Sequence, residues 1–128
     1  MEKLSEQLVS ALLQVEPRIR TLHLIVREHD DFIVKDHWAK GELQDQDFYG
    51  TEERIHAFLK LAPAVLIGAS ETIKDIVGRL RRLTVTYDKV TVIYVPRNDA
   101  ENIITISLPG EAQDSIPKLA GKVAELIV

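Results

Sequence analysis

Cysteine is absent from this chain. That removes structural disulfides, thiolate metal sites and cysteine nucleophiles from consideration, and it suits a reducing compartment. Long apolar runs are missing too. The longest, "LAPAVLIGA", falls far short of the ~18 residues of a membrane span. The opening stretch "MEKLSEQLVSALLQVEPRIR" lacks a basic leading region and mixes charges among its apolar residues, so no signal peptide is expected. There is no basic excess: 16 Lys and Arg stand against 20 Asp and Glu, a formal charge of −4. This argues for solubility and against a general nucleic-acid binder. Neither G-x-x-x-x-G-K-[ST] nor G-x-G-x-x-G occurs, so no phosphate-cradling loop is on offer. No motif here names a reaction.

What is present suits one domain. With 128 residues a chain can bury roughly two-thirds of its unfolded surface and needs no metal or disulfide to stay folded. Leu4, Leu8, Leu12 and Val15 recur at helical spacing among Glu, Gln and Ser, predicting an amphipathic first helix that Pro17 ends. Leu22, Leu24 and Val26 then alternate, and Phe32, Val34 and Trp38 alternate after "HDD". A loop at 29–31 would pair these runs as a hairpin with all six side chains on one face. Asp36 is a misfit on that face, which points to a β-bulge or a frayed strand end.

Loop "GELQDQDFYG" leads to a second helix over 51–80, opened by Thr51 as cap. Its stripe of Ile55, Leu59, Ala62, Leu66, Ala69, Ile73, Ile76 and Leu80 runs through Pro63 and Gly68. The helix either kinks at the proline or restarts after the glycine with Ser70 as cap. Preserved register favours the kink.

Three more strands follow. "RLTVTY" alternates strictly and "VTVIYV" is almost wholly apolar, as in a strand covered on both faces. A two-residue turn at Asp88 and Lys89 sets Leu83 opposite Tyr94, Val85 opposite Val92 and Thr86 opposite Thr91. "PRNDAEN" is a loop and "IITISL" the last strand. A final helix, capped by Asp114 or Ser115, buries Ile116, Leu119, Ala120, Val123 and Leu126. The order is α-β-β-α-β-β-β-α. It predicts an α+β fold, a three-layer α/β/α sandwich with a five-stranded antiparallel sheet. One core should hold Leu22, Leu24, Val26, Val34, Trp38, Val90, Val92, Ile104 and Ile106.

Candidate chemistry is thin. His23 falls opposite His37 in the hairpin, with Asp30, Asp31 and Asp36 nearby, a set of possible metal ligands. Only two imidazoles converge and the spacing matches no ligand signature, so a partly covered sheet face is preferred and no metal is assigned. Ser5, Ser10, Ser70, Ser107 and Ser115 include none in a G-x-S-x-G elbow. Lys74, Arg79, Arg81 and Arg82 form a local basic excess. The preferred reading is a solvated helix end whose cations complement the dipole. Phe48 and Tyr49 are expected to tuck onto the second helix. No catalytic residue, cofactor or metal is assigned.

The order of elements, with a long helix feeding "RLTVTYDKVTVIYVP", resembles the roadblock/LC7 domain of the profilin-like group along essentially the whole chain. "EPRIR" and "YDKVTVIYVP…NIITISL" also resemble an archaeal set of roadblock-like proteins. The departure is the first hairpin, "EHDDF", where roadblock domains usually have a glycine turn. The resemblance implies a non-enzymatic homo- or heterodimer. It would serve in the cytoplasm as a platform or regulator of small Ras-like GTPases, motors or other assemblies. A small-ligand sensor is the alternative, favoured by any pocket near Trp38 and the "HDD" turn. In the family's sheet "RLTVTY" lies at an edge, and no proline, lysine or bulge blunts it here. The expected dimer interface is therefore Leu83, Thr84, Val85, Thr86 and Tyr87, backed by Phe58, Leu61 and Val65 of the second helix.

Overall fold

The computed structural model describes residues 3–29, 31–41, 68, 72–97 and 101–126. An N-terminal helix, Glu6–Val15, starts where Ser5 sits in extended backbone and its side chain accepts from the Leu8 N–H at 3.1 Å. A serine in that place satisfies one of the orphan donors of the first turn. Helix geometry stops at Glu16, which is extended at φ −145° and stands directly before Pro17. The proline disfavours a helical conformation at the residue before it.

Five strands follow: β1 (Thr21–Glu28), β2 (Asp31–Ala39), β3 (Leu83–Thr86), β4 (Val90–Arg97) and β5 (Asn102–Pro109). They form one antiparallel sheet in the order β2-β1-β5-β4-β3. A 3-10 turn, Gln113–Ser115, then leads into the C-terminal helix, Ile116–Leu126. Both terminal helices lie on one face of the sheet. There Leu8 and Leu12 meet Leu119 and Val123 over Leu22, Leu24, Ile93, Ile104 and Ile106. The opposite face carries a second cluster of Ile25, Phe32, Val92, Tyr94 and Ile103. Thr91 through Val95 are buried without alternation, so β4 is covered on both faces as its composition requires. This is the α+β architecture with a five-stranded antiparallel sheet that the sequence predicts.

The β3–β4 register matches expectation in full, with Leu83 opposite Tyr94, Val85 opposite Val92 and Thr86 opposite Thr91. The first hairpin matches in part. Leu22 pairs with Trp38, His23 with His37 and Leu24 with Asp36, but Ile25 pairs with Val34 and Glu28 with Asp31. Lys35 is the extra residue of a bulge, and the turn has two residues rather than three, with His29 at φ +58°. One inserted residue moves every later side chain to the other face. Trp38 therefore joins Leu22, Leu24 and Val26 in the first cluster, whereas Phe32 and Val34 belong to the second. The single expected core is accordingly two: Ile104 and Ile106 lie in the first, Val92 in the second with Val34 and Val90 packed against it.

Two further boundaries shift. β4 runs on through Pro96 and Arg97, which pair with Ile103 and Asn102; β3 stops opposite Tyr94, so Pro96 interrupts no second ladder. Residues 72–77 are helical, and the helix closes at Gly78, whose φ is +85° and whose N–H reaches the Lys74 carbonyl at 2.8 Å. Leu80 is therefore not helical, and Ile73 and Ile76 of the predicted buried stripe stand exposed. The behaviour at Pro63, Phe48 and Tyr49, the Ser70 cap, and Phe58, Leu61 and Val65 fall outside the described residues.

Candidate functional site

Among the described residues, several polar groups that could do chemistry are engaged in holding the fold. Glu16 is buried at the end of the N-terminal helix. Its Oε2 accepts from the Arg18 backbone N–H at 2.8 Å, and its Oε1 from Arg18 Nη2 and from Ser115 Oγ, both at 2.6 Å. Arg18 bonding, with help from the Ser115 hydroxyl, outweighs burial and holds the carboxyl down at about 2; the same contact raises the Arg18 guanidinium. Arg18 also reaches Asp114 at 3.3 Å. The cluster ties the end of the first helix to the start of the last. Ser115 is thus a partner of Glu16 rather than a simple cap, and Ser107 bonds to Thr21 through both hydroxyls. Ser5 is the cap already described.

The histidine pair forms as the register requires. His23, buried on β1, and His37, exposed on β2, stack with ring centroids 6.1 Å apart and an interplanar angle of 24°. Asp36 is turned away, because odd and even positions face opposite sides, and its Oδ2 accepts from the Leu4 N–H at 2.8 Å. Among the described residues, no group of three His, Asp or Glu side chains is placed to hold a metal ion. Trp38 and Asp31 occupy opposite ends of β2, roughly 20 Å apart at about 3.3 Å per residue. The tryptophan and the turn therefore share no pocket.

The sheet's two edges differ sharply. On β2 the bulge at Lys35, the inward Asp36 carboxylate and the Lys35–Glu28 ion pair at 2.6 Å are devices that discourage a further strand. On β3 there is none. Leu83 and Val85 are half-buried toward the second cluster, while Thr84 and Thr86 are exposed. β3 pairs with β4 alone among the described residues, leaving one row of its backbone donors and acceptors open. Among the described residues, the exposed large hydrophobic side chains are Ile73 (47%), Ile76 (85%), Val77 (67%) and Tyr87 (49%), which flank β3 in the sequence. Arg79, Arg81 and Arg82 occupy the exposed link between the helical turn and β3. The expected strand set Leu83, Thr84, Val85, Thr86 and Tyr87 is thus brought together at one edge, with Tyr87 just past the strand. The apolar group at 73–77 has the spacing of a buried stripe, and no local signal distinguishes cover by sheet from cover by another surface.

Neither a family model nor a curated protein matches the chain. Solved structures do match its fold. A roadblock/LC7 domain from Streptomyces avermitilis superposes with a TM-score of 0.61 at 16% identity, covering 95% of this chain and 90% of its own. MglB in a tetrameric arrangement gives 0.62 at 12% identity over 95% and 85%. The gliding protein MglB from Thermus thermophilus gives 0.55 at 11% over 94% and 88%. The likeness to an archaeal set finds no support among them. Identity this low speaks to fold alone, and on that the three agree with the strand order and helix placement seen here: the chain has the roadblock/LC7-like fold.

Proposed function

We propose that this chain is a non-catalytic, dimeric scaffold or regulator, acting in the cytoplasm on a small Ras-like GTPase or a related protein assembly. The observation that carries the proposal is the unblunted β3 edge beside its exposed apolar neighbours, on a chain that guards its other edge with a bulge and charges. Such an edge left open in a monomer would invite aggregation; pairing it with the same strand of a second copy removes the hazard. A two-fold axis there is isologous and would join two sheets into one of ten strands, twice the five in each chain. Leu83, Thr84, Val85, Thr86 and Tyr87 form the strand part of this interface, and Phe58, Leu61 and Val65 are assigned to it from the preceding apolar segment of the sequence. MglB with a tetrameric arrangement is a protein of this fold that self-associates. The regulatory half of the proposal rests on fold likeness, and on side chains such as Glu16, Ser107 and Ser115 being tied into the fold.

Light scattering on the purified chain tests the assembly. The wild type should run at twice the chain mass of 14.5 kDa. Val85→Pro removes a backbone donor and should yield monomer. A monomeric wild type at tens of micromolar, or a dimer that Val85→Pro leaves intact, refutes the interface. Binding to GTP- and GDP-loaded Ras-like GTPases of the same cell tests the role, and a stable dimer that binds none of them in either state refutes it.

A further inference from the structure

The two ends of the β3 edge carry opposite charge. Arg82 stands immediately before the strand and Asp88 in the turn just after it, both exposed. Neither side chain has a hydrogen bond or ion pair among the described residues. On the guarded edge, by contrast, Lys35 is held by Glu28 at 2.6 Å.

Two identical edge strands lie side by side and antiparallel only about a two-fold axis perpendicular to the sheet. That operation keeps each face of the sheet on its own side. Odd-numbered residues of one strand therefore meet odd-numbered residues of the other, and even meet even. The axis can fall on any of the four strand residues, Leu83–Thr86. On Leu83 it sets Val85 against Arg81 of the second copy and leaves Tyr87 uncovered. On Thr84 it sets Arg82 against Thr86 and Asp88 against Leu80. On Thr86 it sets Leu83 against Lys89 and Thr84 against Asp88. On Val85 it sets Leu83 against Tyr87, Thr84 against Thr86 and Arg82 against Asp88. Only this last register pairs apolar with apolar, hydroxyl with hydroxyl and cation with anion. It also covers Tyr87, which is 49% exposed in the single chain. Directly opposite residues have Cβ atoms about 5 Å apart, within reach of an ion pair, and the axis repeats the contact on its other side. Lys89 is the last residue before β4 begins at Val90, so the shared ladder stops at Asp88 and Arg81 meets no like charge.

We propose that Arg82 and Asp88 are the self-recognition pair of this edge: they select a second copy of the same chain and place Val85 on the two-fold axis. The inference rests on the dimer read above and adds its partner and its register. A foreign edge strand without an acid and a base at these two positions forfeits both ion pairs.

The test exchanges charges in the full chain and reads the dimer dissociation constant by analytical ultracentrifugation at low salt, with a thermal melt of each variant to confirm folding. Arg82→Glu brings acids together at both contacts, and Asp88→Arg brings bases together. Each should weaken self-association about tenfold, and much less in about 1 M salt, where charges are screened within about 3 Å. Mixed in equal amounts, the two variants should recover wild-type affinity as a heterodimer, because acid and base then face each other at both contacts. The doubly exchanged variant, Arg82→Glu with Asp88→Arg, should dimerise like the wild type but pair poorly with it. Arg79→Glu, the same charge change in the exposed link before the strand, should leave the constant unaltered. A monomeric wild type would remove the dimer and this inference together. A wild-type dimer that neither reversal weakens, single variants that do not recover on mixing, or equal weakening by Arg79→Glu would leave the dimer standing and overturn the pairing.

Discussion

Replacing Glu16 by Gln probes the tie between the two ends of the chain. The carboxylate accepts from Arg18 through both oxygens and from Ser115 Oγ, and it is 4% exposed. A glutamine keeps the shape but presents an N–H₂ to donors on one side, leaving at least one of them unsatisfied. Arg18 and Ser115 hold the Glu16 carboxyl at about 2, against 4.5 when free. At about 1.36 kcal/mol per pH unit that gap corresponds to roughly 3.4 kcal/mol. Arg18 is 45% exposed, so solvent screens part of the attraction, and about 2–3 kcal/mol is the expected loss at pH 7. For a chain of this size that is a fall in Tm of about 6–12 °C. The sign with pH follows from linkage. A carboxyl whose folded value is depressed stabilises the fold fully above its unfolded value, and the stabilisation drains away as pH falls toward the folded one. The gap between wild type and Glu16→Gln should therefore be constant above about pH 5 and close progressively as pH approaches 2. Urea unfolding at pH 7, 4, 3 and 2.5 measures it. A gap that stays the same at every pH would show that the charge-assisted bonds contribute nothing and that Gln merely packs badly.

Val92 is 1% exposed at the centre of the second cluster; Val92→Ala should cost about 2–3 kcal/mol by thermal or urea melt, and an unchanged melt would place that side chain outside the core. Gly110 closes onto the β3–β4 turn, where an added Cβ would meet the Asp88 carbonyl oxygen at 2.8 Å and the Tyr87 carbonyl oxygen at 3.3 Å. Gly110→Ala should therefore destabilise by about 1–3 kcal/mol, whereas Gly121→Ala, with open space around it, should not. The purified protein should hydrolyse neither GTP nor ATP and carry no stoichiometric zinc or iron; one metal per chain, released by His23→Ala, would establish a site at the histidine pair.

How far the sequence alone reaches depends on the range of the forces involved. The β3–β4 register was legible because Asp88 and Lys89 leave only a two-residue turn and the facing side chains are matched locally. The first helix was legible because Leu8 and Leu12 recur at its period and Pro17 must end it. Asp36 showed that something was wrong in the first hairpin, but alternation could not say where the extra residue lay. Tertiary contact decided it: a bulge at Lys35 lets Asp36 accept from Leu4, 32 residues away, and sends Phe32 and Val34 to the second cluster. Ser115 reads as a cap in the sequence because capping is local, yet its hydroxyl goes to Glu16 across 99 residues. The same limit hid the full length of the β4–β5 ladder, because Pro96, Arg97 and Asn102 read as loop until the ladder pairs Arg97 with Asn102. It also hid the exposure of Ile73, Ile76 and Val77. An apolar period specifies that a face must be covered, because water disfavours it. Which surface covers it is settled only by where the rest of the fold leaves that face.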